Sequence, residues 1–231
     1  MPDITLTAAD GGSFTGYLAG PATGGVPGLV LIQEIFGVNH VMRDLADHLA
    51  GLGYVVLCPD LFWRQEPGIQ LTDRTKAEWA RAFELYKGFD EAKGVEDLKS
   101  ALAWLRGLKS VSGKVGTLGF CLGGKLAYLM ATRSDADCNV SYYGVGIDAA
   151  LDEAPKITRP TLLHIAEKDG FVPPEAQAKV KAALAGNPLV TIHSYPGVDH
   201  AFARVGGQHY DAAAANLANQ RTEAFLKAHL G

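Results

Sequence analysis

Apolar residues fall along this chain in short runs separated by longer amphipathic stretches. The runs at 4–7, 14–18, 28–32, 54–57, 115–118, 140–143, 161–165 and 190–194 are rich in Val, Ile, Leu and Thr and predict strands. The stretches at about 40–50, 72–87, 91–106, 123–132, 174–185 and 210–229 predict helices. The first two strands flank Asp10-Gly11-Gly12, a turn signal that makes them an antiparallel pair. After them strands alternate with helices, which predicts an α/β fold with a mainly parallel central sheet and helices on both faces. No repeat, low-complexity tract or long linker interrupts the pattern, so residues 1–231 are expected to form one domain. Reactive groups in such a sheet sit on loops leaving the C-terminal ends of strands.

Composition narrows the function classes. Hydrophobic residues make up 48% of the chain, enough for a full core. The net charge of −4 and the lack of a basic tract argue against nucleic acid as a partner. Met1-Pro2-Asp3-Ile4-Thr5-Leu6-Thr7 has no basic start followed by a long apolar stretch, and no run is long enough to span a membrane. A cytoplasmic location is therefore expected, with no membrane partner; the oligomeric state, monomer included, is left open. Three cysteines, Cys58, Cys121 and Cys138, form neither a disulfide framework nor a zinc-ligand pattern, so no metal is expected.

One segment changes the picture. Val115-Gly116-Thr117-Leu118-Gly119-Phe120-Cys121-Leu122-Gly123-Gly124 reads as strand, sharp turn and helix with G-x-C-x-G at its apex. This is the thiol version of a nucleophile elbow, the hallmark of the α/β-hydrolase fold. A buried structural cysteine is the plain alternative, so the partners must decide. That fold orders them nucleophile, acid, histidine. The strand at 161–165 leads to Glu167-Lys168-Asp169-Gly170, and the strand at 190–194 leads to Tyr195-Pro196-Gly197-Val198-Asp199-His200. Asp169 and His200 are thus the expected acid and base. Asp-Gly is also a common turn, and Asp199 and Glu167 are rival acids, although Asp199 adjoins His200 and reaches its Nδ1 awkwardly. Six other histidines fall in or near predicted helices (His40, His48, His209, His229) or inside strands (His164, His193). The early strand at 28–32 ends in Gln33-Glu34-Ile35-Phe36-Gly37, placing a carboxylate at a strand end. The backbone N–H groups of Leu122 and Ile35 are the expected oxyanion donors.

Several linked segments together resemble the dienelactone hydrolases (carboxymethylenebutenolidases). They are Gln33-Glu34-Ile35-Phe36-Gly37-Val38-Asn39, Cys58-Pro59-Asp60-Leu61, Gly119-Phe120-Cys121-Leu122-Gly123-Gly124, Tyr142-Tyr143-Gly144-Val145-Gly146 and His200-Ala201-Phe202-Ala203-Arg204. The resemblance runs from about the first strand to the last helix. It implies a Cys121–His200–Asp169 triad, no cofactor, and a Glu34 that takes the thiol proton when substrate binds. A thiol ionised only with substrate present is less exposed to oxidation. The resemblance further implies a carboxylated lactone, from aromatic-compound degradation, held by arginines. Arg204 matches one of them. The other position holds Trp79, and Arg81, two residues on, is turned by about 200° on a helix. Ala201 stands where a hydroxyl is often seen. A neutral-ester carboxylesterase, a non-catalytic ligand-binding module, and a redox thiol using Cys58 are the competing expectations.

Overall fold

The structure, a computed structural model, describes residues 3–231, so residues 1–2 of the stretch read as carrying no leader lie outside it. The described chain holds eight strands and six α-helices, and it packs as two compact units, the first ending at Val115 and the second covering Gly116–Gly231.

In the first unit, β1 (Asp3–Thr7) pairs antiparallel with β2 (Ser13–Ala19). β2 pairs antiparallel with β4 (Val55–Pro59), which lies parallel to β3 (Val26–Ile32). β4 is buried along its whole length, which explains its unbroken apolar run. Helix α1 (His40–Gly51) packs on β4 and β2, and Asn39 caps it by accepting the Met42 N–H at 3.2 Å. Helix α3 (Glu91–Arg106) packs on β3 and β4, with Asp90 as its cap. Helix α2 (Lys76–Gly88) starts four residues later than its apolar spacing suggests. The reason is a capping box: Thr75 Oγ1 accepts the Glu78 N–H, and Glu78 Oε1 takes the N–H and hydroxyl of Thr72 at 2.9 and 2.8 Å.

Strand β5 (Val111–Phe120) begins before the boundary and ends in the second unit. It exceeds the expected 115–118 because Ser112, Gly113 and Lys114, exposed after Val111, give no apolar signal. It is followed by α4 (Leu122–Arg133), β6 (Asn139–Tyr142), β7 (Thr161–Ala166), α5 (Pro174–Leu184), β8 (Val190–Tyr195) and α6 (Ala212–Leu230). β5, β6, β7 and β8 lie parallel in that order. Helix α4 packs on β6 and α6 on β7, and residues Leu122–Thr132 of α4 are buried except for Lys125. A 3-10 segment at Ile147–Lys156, which apolar spacing does not reveal, packs against α4 and α5. The register sets Phe120, Tyr142 and His164 side by side at the C-terminal ends of β5, β6 and β7, with Ala166 of β7 opposite Tyr195 of β8. Among the described residues, no helix is long and apolar enough to cross a membrane.

Candidate active site

Cys121 follows the last residue of β5 and precedes the first of α4. Its backbone sits at φ 57°, ψ −115°, outside the ordinary regions for a side-chain-bearing residue, at a cost of about 1–3 kcal/mol. The surroundings hold it there: its N–H donates to the Tyr142 carbonyl at 3.1 Å, and its carbonyl accepts the Lys125 N–H at 3.2 Å. The flanking glycines are required by close approach. A Cβ on Gly119 would overlap the Gly123 carbonyl, and one on Gly124 would overlap the Tyr142 carbonyl. The turn sets Cys121 at the N-cap of α4, the positive end of the helix dipole. Leu122, as the first residue of α4, has an N–H with no partner within the helix.

Asp169 and His200 follow the C-terminal ends of β7 and β8. His200 Nδ1 lies 2.9 and 3.1 Å from Asp169 Oδ2 and Oδ1; the carboxylate can only accept, so Nδ1 donates. Asp169 Oδ1 also accepts the N–H groups of Phe171 and Val172 at 2.8 and 3.2 Å. The same carboxylate therefore forms the turn and orients the His200 ring. Nε2 of His200 is buried and has no hydrogen bond of normal geometry, yet the Cys121 sulfur acts on the ring electrostatically. Burial alone would lower the pKa of His200. With the Cys121 thiol ionised, its charge and the bond to Asp169 outweigh burial and push the pKa up to about 10. Cys121, Asp169 and His200 are 7, 5 and 4% exposed.

The His200 ring is gripped edge-on by Tyr143 and Phe171, with centroids 5.0 and 4.9 Å away. Neither grip is evident in the sequence. Tyr143 and Ala201 share with Cys121 a positive φ, at 37° and 61°. These three are the only non-glycine residues of that kind among the described residues, and they all touch or adjoin the candidate triad.

The other expected residues are placed as follows. Glu34 and Ile35 are buried on the loop after β3, in the first unit. Gln33 fastens that loop, donating to the Glu34 carbonyl at 3.2 Å and accepting the Leu61 N–H at 3.1 Å. Arg204 is buried on the loop after His200, its N–H on the Ala201 carbonyl at 2.9 Å. Trp79 on α2 donates Nε1–H to the Asp73 carbonyl at 3.0 Å and packs against Phe36 and Phe83. Arg81 is taken up by Glu66 and Glu84. Of the rival acids, Glu167 is exposed, and Asp199 Oδ2 meets His209, not the His200 ring. Burial pushes the Cys58 thiol far above its usual range, which works against a resolving role for it.

A mainly parallel sheet with a strained cysteine elbow, then an acid and a histidine after later strands, defines an α/β-hydrolase. The sequence matches the dienelactone hydrolase family over residues 14–230, and the chain belongs to that family. It is 40% identical to a carboxymethylenebutenolidase of Cupriavidus pinatubonensis, over 95% of this chain and 93% of that one. An Azospirillum brasilense protein, whose designation as a carboxymethylenebutenolidase is provisional, is 58% identical over the full length of both. A Klebsiella pneumoniae crystal structure, provisionally described as a dienelactone hydrolase, superposes with a TM-score of 0.83 at 27% identity, covering 98% of this chain and 99% of that one. The chain is accordingly an enzyme that hydrolyses lactone or ester bonds.

Proposed function

We propose that the chain hydrolyses a small lactone or ester through a thioester on Cys121. The observation that carries this reading is the buried His200 ring, tied at Nδ1 to Asp169 and leaving Nε2 to the Cys121 side. The Cys121 sulfur attacks the carbonyl carbon, and the Leu122 and Ile35 N–H groups donate to the oxyanion. As the C–O bond breaks, the departing enolate or alkoxide oxygen takes a proton from His200. In a lactone that oxygen stays attached to the acyl group. Water, deprotonated by His200, then attacks the thioester and releases the acid and the thiolate, so the net change is addition of one water. Glu34 takes the thiol proton when substrate binds and returns it to the thiolate once the acid has left, and Arg204 holds a substrate carboxylate; these roles rest on the family pattern. No metal or organic cofactor enters these steps. The relatives' designation as carboxymethylenebutenolidases supports a dienelactone as substrate; a place in the breakdown of aromatic compounds rests on the family resemblance alone.

One observation favours a second substrate class. Trp79 stands where the family pattern places a substrate-binding arginine, and Arg81, two residues on, is already paired with two carboxylates. An aromatic surface suits a neutral acyl group better than an anion. Comparing kcat/KM for carboxylated lactones and for neutral esters of similar size decides between them. Dienelactone hydrolysis predicts a preference for the carboxylated lactones of at least tenfold; a preference for neutral esters assigns the chain to the second class.

A further inference from the structure

The loops bearing the acid and the base are joined by three rungs beyond the sheet. The β7–β8 pairing ends at Ala166 and Tyr195. Past it, the Glu167 N–H donates to the Tyr195 carbonyl at 3.0 Å, and the Lys168 N–H to the Val198 carbonyl at 2.9 Å. The third rung is a side chain: Asp199 Oδ1 accepts the Gly170 N–H at 2.9 Å. The same oxygen accepts the His200 N–H at 2.6 Å. One atom thus bridges the residue after the acid and the backbone of the base. The other oxygen, Oδ2, faces Nδ1 of His209 at 3.1 Å, on the loop that also carries Arg204.

We infer that Asp199 is a positioning residue: it fixes the distance between Asp169 and His200 by holding the backbone of Gly170 and of His200, without touching substrate. The inference rests on the triad proposed above. Charged acceptors make hydrogen bonds about twice as strong as neutral ones, and Asp199 is kept in that form. Burial would raise its pKa, but the Gly170 and His200 N–H groups and nearby His209 hold it below the ordinary carboxylate value. The groups acting on the His200 ring are Asp169 and Cys121, with Tyr143 and Phe171 packed against it. The loop geometry that keeps Asp169 within 2.9 Å of Nδ1 therefore decides how strongly the ring holds its proton. A displacement of about 1 Å in such a pair can lower a rate roughly 100-fold.

The test compares Asp199→Ala and Asp199→Asn in the full chain. Steady-state hydrolysis is measured, and His200 is titrated by NMR of its ring protons. In the alanine variant kcat is expected to fall roughly 10- to 100-fold, with KM within about threefold, and the His200 midpoint to fall by about one pH unit or more. The asparagine amide oxygen still accepts both N–H groups, so that variant recovers most of the rate and of the midpoint. Asp199→Ser, too short to bridge to Gly170, reads out the same loss if the alanine variant does not fold. An unchanged His200 midpoint in a folded alanine or serine variant overturns the inference, even if the variant melts earlier. Turnover by Cys121→Ala would remove the triad reading instead, while the His200 titration would still decide the role of Asp199.

Discussion

Replacing Asp169 by Asn isolates what the acid contributes, because the structure fixes how the new amide must sit. Oδ1 accepts two backbone N–H groups, from Phe171 at 2.8 Å and Val172 at 3.2 Å. The amide oxygen takes that place, since an NH2 there would face two donors. The NH2 then occupies the Oδ2 position, 2.9 Å from His200 Nδ1. There it faces the Nδ1–H and leaves it only the 3.1 Å contact to the amide oxygen, which favours the neutral tautomer with its proton on Nε2, the atom that should receive one. Losing a charge-assisted bond costs about 1.5–3 kcal/mol, a rate loss of roughly 10- to 150-fold. The wrong tautomer adds to this, and in a serine triad a similar swap costs about 10⁴-fold. A thiol is intrinsically the better nucleophile, so we expect kcat to fall roughly 10²- to 10³-fold. Initial rates on a chromogenic ester, with circular dichroism to show an intact fold, measure it. A folded Asn variant within tenfold of the wild-type kcat would refute the assignment of Asp169.

Other consequences are as direct. Gly119→Ala places a Cβ into the Gly123 carbonyl, so thermal unfolding should show a loss of at least about 1–3 kcal/mol. Hydrolysis should fall with it; a variant as stable and active as the wild type would mean the elbow tolerates side chains there. His164 is buried and neutral, bonded to Tyr195 Oη at 2.8 Å and Thr222 Oγ1 at 2.9 Å. Burial holds its pKa well below 6.5, so only the unfolded chain takes up this proton, and stability drops as pH falls below about 6.5. His164→Leu should lose about 1–3 kcal/mol at pH 7.5, because Tyr195 Oη loses the ring as a partner, whereas Thr222 Oγ1 keeps Tyr142 Oη at 2.6 Å. It should also lose less stability than wild type between pH 7.5 and pH 5 in urea unfolding. Parallel pH profiles for the two would contradict a neutral His164.

Much of this arrangement was legible because it is written in backbone requirements. Gly119 and Gly124 bracket Cys121 because the turn leaves no room for side chains there, and a local pattern can show that. The placement of Asp169 and His200 follows from counting strands, since each lies a few residues past an apolar run. What escaped the sequence depends on distances between loops. Asp199 could be judged only as a rival acid beside His200, because its bond to the Gly170 N–H exists only once β7 and β8 are paired. His209, which sequence placed in or near a helix, lies in the loop before α6 and meets Asp199. The edge-on contacts of Tyr143 and Phe171 with His200 are likewise tertiary. The late start of α2 is a different case. Thr75-Lys76-Ala77-Glu78 is a local capping box, and reading it would have corrected the boundary.

The central claim is that Cys121 carries the acyl group. Mass spectrometry of enzyme quenched during turnover of a slowly hydrolysed ester tests it most directly. A mass gain equal to the acyl group is expected on the peptide containing Cys121, with neither adduct nor turnover in Cys121→Ala. Turnover by that variant, or an adduct on another residue, would contradict it.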